Sequence, residues 1–311
     1  MDSKIVCFSP PKSISYSEFC DLHSAKDIVS EEFVEGTMVN VFWNGSEWKQ
    51  ATKSKLDADC VFFDTNGFFN NMFAETLIAV KLDLNNLNKS YCYSFVMQHP
   101  KNRIVSLFTT IQLYLISAYC IEEMDGTTNT KITVVDNIQN DPLWNSTTVK
   151  FPSRIDWNLK TPITKLPYNV MGVSFKDPIS GDRCKLRNPS YEYVRQLRGN
   201  QPKLSYRYLE LRKMNKVVEF LMFFPEHSEQ FRQYQNNLHQ YTNLLFKHYV
   251  DVYIKKNVII DTIDSKFHIG LKRLHNHYKQ VLLPQKKYIT LQETIDYVNA
   301  LPEAVLMAVI R

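Results

Sequence analysis

The chain has 311 residues, 44% of them hydrophobic and 22% charged, and carries a formal net charge of +5. That size and apolar content bury one large core or two ordinary ones and exclude a disordered chain. No apolar run approaches the roughly 20 residues that span a bilayer, which excludes a helical membrane anchor.

In chain order, residues 1–30 read as a lead segment. Met38-Val-Asn-Val-Phe-Trp43 alternates, Asn44-Gly45 offers a positive-φ turn, and residues 47–52 return, which predicts a hairpin. Phe69, Met72, Phe73, Leu77 and Val80 recur at helical spacing and predict a helix over 66–80. Strands are expected over 91–97, 112–121, 131–135 and 170–175, with a long surface loop over 137–146. From Pro189 the period changes. A short helix over 190–198 is stopped by Gly199-Asn200, and Phe231, Tyr234, Leu238, Tyr241, Leu245, Tyr249 and Val252 mark one face of a long one. Phe267, Leu271, Leu274, Tyr278 and Leu282 mark another, ending before Pro284. Thr290-Leu-Gln-Glu293 is a capping box, and Pro302 opens a last helix through an apolar tail to Ile310 that is expected to dock. The class is therefore α+β: a strand-dominated domain over 31–190, built on antiparallel sheet, then an all-helical domain over 191–311.

Charge is unevenly spread. Ten Lys or Arg fall between Arg183 and Lys216, with Glu192 and Glu210 as the acids among them. Such a strip favours a polyanion, with Arg195, Arg198, Lys203, Arg207, Arg212 and Lys213 as nucleic-acid contacts, interleaved with Tyr193, Tyr206 and Tyr208 for stacking on bases. The alternative is that the tyrosines pack between the domains and the arginines pair with Glu192 and Glu210. Six scattered cysteines without a C-x-x-C pair point to a reducing compartment. His275 and His277 stand two apart on a helix and diverge, so no metal site is expected from them.

The order of motifs along the first domain resembles that of phage-type RNA ligases, which carry K-x-D-G, a K-S-K segment, an F-E-F strand leading into P-x-N-R-I-V, then E-G and K-x-K. Here Phe33-Val-Glu35-Gly36-Thr37, Lys53-Ser-Lys55, Phe95-Val-Met-Gln-His-Pro-Lys-Asn-Arg-Ile-Val105, Met171-Gly172-Val173 and Lys185-Leu-Arg187 follow in that order. The fuller pattern, through residues 187–204, is similar to RNA-ligase-like proteins of large DNA viruses. The resemblance implies an antiparallel nucleotidyltransferase domain and a host-cytoplasmic or virion location. It also implies a nucleic-acid partner, RNA in the first place, with viral proteins as further partners. Glu35, Lys53, Lys55, Arg103, Lys185 and Arg187 are the nucleotide- and phosphate-binding residues it implies. His99, inside the motif, is expected to be structural.

Three departures decide the chemistry. Phe33 stands where those enzymes keep the attacking lysine, and Val96 and Met171 stand where they keep two acids. Seven strand residues separate Lys26 from that position, too far for it to substitute. With nucleophile and metal acids missing together, the expected protein is a catalytically degenerate nucleic-acid binder with an unknown catalytic residue and no metal site. One alternative is an active ligase using ATP and magnesium through a relocated Lys53 or Lys55. The other is a viral structural or assembly protein.

Overall fold

A computed structural model describes residues 5–23, 28–60, 67–123, 130–157, 163, 166–178 and 180–310. Lys26, and the first residue of the helix expected over 66–80, lie outside these residues. The chain divides into two compact units, residues 1–202 and 203–311. The helix that follows residue 188 belongs to the first unit.

The first unit contains two antiparallel sheets. Strands β1 (Val29–Glu32), β7 (Gly172–Lys176) and β8 (Arg183–Arg187) form one, in the order β1-β7-β8. The other runs β3-β2-β4-β5-β6, from β2 (Thr37–Trp43), β3 (Trp48–Ala51), β4 (Tyr91–Gln98), β5 (Gln112–Glu123) and β6 (Thr130–Val134). Strands β2 and β3 form the expected hairpin, with the Asn44 carboxamide accepting from the Ser46 and Glu47 amides at 2.9 and 2.8 Å. Alternation along β2 and β4 sends Val39, Val41, Tyr93, Phe95 and Met97 to one face. There they bury against Met72 and Phe73 of helix α2 (Phe69–Ala79). Helix α1 (Tyr16–Leu22), capped by Ser15, packs Phe19 against Val173, Phe175 and Cys184 of the small sheet. Helix α3 (Pro189–Arg198) starts on the Asn188 cap and stops at Gly199, whose φ of 71° is the positive value expected there. Residues 137–146 depart from the expected loop: two 3₁₀ turns form, and Trp144 is buried with its indole N–H on the Ile138 carbonyl at 2.8 Å. A buried indole that finds an acceptor holds polar chain against the core.

Two glycines permit close approach of strands. A Cβ on Gly172, at φ +144°, would stand 2.2 Å from the Leu186 carbonyl oxygen, and one on Gly36, at φ +150°, 2.5 Å from that of Met97. Gly172→Ala is therefore expected to lower stability by about 3 kcal/mol or more, read from a urea midpoint, since backbone must move to admit the methyl group.

The second unit is helical. After α4 (Leu204–Lys213) and α5 (Val217–Phe223), which periodicity did not single out, come the long α6 (Ser228–Tyr249), then α7 (Ser265–His277), α8 (Leu291–Ala300) and the short α9 (Glu303–Leu306). Tyr208, Phe220, Phe231, Leu245, Leu271, Leu274 and Val298 are buried at its core. The capping box at Thr290 forms, with its hydroxyl accepting from the Glu293 amide at 3.1 Å. The tail helix is shorter than expected, yet Leu306, Met307 and Ile310 are buried, so the tail docks. No helix among the described residues is long and apolar enough to cross a membrane.

Candidate functional site

The register of the small sheet aligns its polar face in rows. Val29, Lys176 and Arg183 lie opposite one another, as do Glu31, Ser174 and Lys185, and Gly172 faces Arg187. The alternate residues Val173, Phe175 and Cys184 go to the core, so the period of two that buries this sheet also gathers Arg183, Lys185 and Arg187 on one face. Phe33 follows β1 and bonds its amide to the Gly172 carbonyl at 3.2 Å. That places its ring 4.7 Å from the Lys185 ammonium and 5.4 Å from the Arg187 guanidinium. The Phe33 ring thus offers an aromatic face to two cations.

A cavity of about 340 Å³ opens here, lined by Pro10, Lys12, Met38, Lys53, Arg183, Lys185 and Arg187 among others. Five cations line it and no carboxylate does, among the described residues. Burial, then the charges of Arg183, Lys53 and Arg187, push Lys185 down to about 8. Arg187 is held by Glu192 at 2.6 Å, and the same carboxylate takes Arg195 at 3.0 Å. A concave, partly desolvated lining with five cations and no carboxylate of its own has the charge and shape suited to an anion.

Of the expected phosphate residues, Lys53, Lys185 and Arg187 meet in this cavity, whereas Lys55, Glu35 and Arg103 are placed elsewhere. Lys55 is exposed in a turn closed by Thr52. Glu35 is buried and its carboxylate accepts from the Val105 and Ser106 amides at 2.7 and 3.0 Å and from the Ser106 hydroxyl. Asn102 bonds Thr37 at 2.6 Å, Gln98 bonds the Glu35 carbonyl at 2.9 Å, and Arg103 donates its Nε to the Val105 carbonyl at 3.0 Å. The two motif segments around Glu35 and Asn102 therefore build one rigid corner. His99 belongs to it as well, accepting from the Lys101 amide and bonding Glu75 at 3.0 Å. Glu35→Gln, which presents an amide N–H₂ or a neutral oxygen to those buried donors, is expected to cost about 1–3 kcal/mol in a denaturant titration.

A magnesium ion does not fit these residues. It prefers a site with one or two carboxylates, and here Val96 is buried against Gly36, Ser94 is bonded to Asn40, and both Glu35 oxygens are taken. No cluster of His, Cys, Asp and Glu suited to a metal occurs among the described residues.

The expected nucleic-acid residues separate by burial. Arg198 is buried, bonds the Arg103 carbonyl at 3.0 Å, and is pushed down to about 10 by that burial. In the second unit Arg207 is buried and pairs with Glu210 at 2.8 Å, Arg212 bonds Asn299, and Lys213 pairs with Glu303 at 3.2 Å. Tyr208 is buried against Phe231, while Lys203, Lys213 and Tyr193 are exposed. Arg198, Arg207 and Tyr208 are thus largely shielded from solvent. Sequence reasoning left out Arg183 and Lys12. The first continues the alternation of Lys185 and Arg187 and could be found that way; the second has no local signal.

The chain is similar to viral proteins. It is 26% identical over 287 residues to the Immediate-early protein ICP-46 homolog of Invertebrate iridescent virus 6, covering 84% of this chain and 61% of that protein. With the homolog of Invertebrate iridescent virus 3 it shares 23% over 245 residues, 73% of this chain and 50% of the relative. The chain thus spans between half and two thirds of the length of these relatives. No protein-family profile matches it. Among solved structures it is similar to a mutant of Naegleria gruberi RNA ligase in its apo form, with TM-score 0.41 and 14% identity over 60% of this chain and 59% of that one. The same ligase with PPi gives 0.41 and 12%, over 62% and 60%. A protein of Aquifex aeolicus assigned as an ATP-dependent DNA ligase gives 0.40 and 12%, over 93% and 64%.

Proposed function

We propose that the first unit binds nucleic acid, RNA in the first place, through phosphate contacts at the cation-lined cavity, and forms no lysine–nucleotide adduct at the position of Phe33. The observation that carries this reading is the pairing of Lys185 and Arg187 with the Phe33 ring beside a lining without carboxylates. The cations that would hold a phosphate are kept, and the groups that would attack it or hold a metal are replaced by apolar side chains. Protein incubated with α-labelled ATP or GTP and magnesium is expected to carry no acid-resistant label, while filter binding of RNA weakens steeply between two salt concentrations. RNA affinity that does not change with salt would instead favour an assembly surface with protein partners.

One observation supports an active alternative. Lys185, brought down to about 8, is the amine best placed to be nucleophilic near neutral pH, ahead of the exposed Lys53 and Lys55. Its attack on the α-phosphorus would form an N–P bond and release pyrophosphate. Label mapped to Lys185 would replace the non-catalytic reading with this one.

A further inference from the structure

Arg183 is only 7% exposed, and its Nε has no hydrogen-bond partner. The acids around it are committed elsewhere. Glu31, on the same face of the sheet, is paired with Lys176 at 2.6 Å. Asp182, its neighbour in sequence, and Asp177 both hold His23, at 3.1 and 2.7 Å. No ion pair reaches Arg183 among the described residues. One residue row away, the Ser174 hydroxyl, opposite Lys185, is also buried without a partner. The charge of Glu31 acts on Arg183 only at a distance, and burial lowers the guanidinium from its ordinary value; a buried charge without a paired counter-ion is disfavoured, and an aliphatic side chain of similar volume would pack this position better. Two orphaned polar groups on one face, beside Lys185, imply a third party that satisfies both.

The surroundings say what it is. Arg183 and Pro11 line the 340 Å³ cavity and also a second cavity of about 620 Å³, so the two residues form the wall between them. Residues 10–14 run along that wall, fixed by the Ile14 amide on the Arg183 carbonyl at 3.0 Å. The cation-lined cavity therefore ends at the guanidinium. A phosphodiester in the middle of a strand needs an entrance and an exit for its two sugars. A terminal phosphate needs one opening, and as a dianion it offers more charge and more acceptor oxygens to a planar guanidinium.

We propose that Arg183, with the Ser174 hydroxyl beside it, is an inner seat for a phosphate dianion that enters through the cation-lined cavity. This deepens the nucleic-acid reading, on which it rests for the source of the anion, by assigning a terminal rather than an internal phosphate. Two sources share the chemistry: a free phosphate ion and the phosphorylated end of an oligonucleotide.

The test follows melting temperature at matched ionic strength with three additions: orthophosphate, a short oligoribonucleotide bearing a terminal phosphate, and the same oligonucleotide without it. Wild type is expected to melt higher with orthophosphate or the phosphorylated oligonucleotide, and the arm that saturates at the lower concentration identifies the source. Arg183→Met is expected to melt no lower than wild type without ligand, since it removes an unpaired buried charge, and to lose the phosphate-dependent rise. Ser174→Ala, a smaller change, keeps the test valid if Arg183→Met fails to fold; its half-saturating concentration should rise by about tenfold, the value of one strong hydrogen bond to a charged group. Equal rises in wild type and both variants, or no rise in any arm, would overturn the seat. RNA affinity measured in parallel separates the two readings. Retained salt-dependent RNA binding with no phosphate-specific rise overturns the seat alone. A rise lost in Arg183→Met, together with absent RNA affinity, supports the seat and sinks the nucleic-acid reading.

Discussion

Replacing Lys53, Lys185 and Arg187 together by methionine is expected to flatten the salt dependence of RNA binding and to weaken binding at low salt more than any other change in the first unit. These three side chains come from the end of the β2–β3 hairpin and from β8, and they meet at one cavity without a carboxylate in its lining. Each phosphate that a cation neutralises on a single strand releases counter-ions worth a slope of about 0.7 in log K against log salt, so three contacts amount to about 2. At 0.1 M salt, against a 1 M reference, that is about a hundredfold in affinity. Methionine keeps much of the aliphatic volume, so the fold is retained, and the loss of mutual repulsion around Lys185 favours it. Lys55→Met serves as the contrast: it removes a nearby exposed lysine outside the lining and should leave the slope within error. A slope that survives the triple change would place the RNA elsewhere, in the first instance on the exposed Lys203 and Lys213 of the helical unit.

What could be read from the sequence divides by the range of the interactions involved. The hairpin at Asn44-Gly45, the cap at Thr290 and the stop at Gly199 are set by residues a few positions apart, and each stands where local chemistry put it. The convergence of Lys185 and Arg187 was legible too, because alternation along one strand fixes a face. Lys53 over Lys55 was not, since both are exposed in a turn whose direction depends on how the β2–β3 hairpin is carried over the small sheet. Glu35 had the opposite history. Its motif suggests a ligand group, but its carboxylate is spent on the Val105 and Ser106 amides seventy residues on, and no sequence pattern shows an acceptor meeting donors at that separation. The basic strip from Arg183 to Lys216 looked continuous because charge was counted along the chain. Arg183, Arg198 and Arg207 turn inward, each for a different partner or for none, while Lys203 and Lys213 turn out.

Binding of orthophosphate is expected to take up a proton near pH 9 and to weaken as the pH rises through about 8. The cause is Lys185, brought from its ordinary 10.5 to about 8 by burial and by the charges of Arg183, Lys53 and Arg187. In the unliganded fold the amine is largely neutral at pH 9, whereas an anion placed among those cations restores the ammonium, so that binding recruits a proton. The sign for folding follows from the same shift. The unfolded chain binds more protons at this side chain between about 8 and 10.5, so its contribution to stability rises with pH across that window. Below about 8 both states are charged and the penalty is present in full. Buried tyrosines act with the opposite sign, since burial raises Tyr191 and Tyr119 above the ordinary tyrosine value and their stabilisation fades at higher pH. The difference between wild type and Lys185→Met isolates the lysine: the two stability curves should converge as pH rises from about 8 towards 10.5. Calorimetry in two buffers of unlike ionisation enthalpy reads the proton directly. Equal heats of phosphate binding in both buffers at pH 9 would mean that the Lys185 amine stays charged in the empty cavity, and that solvent rather than protein surrounds it.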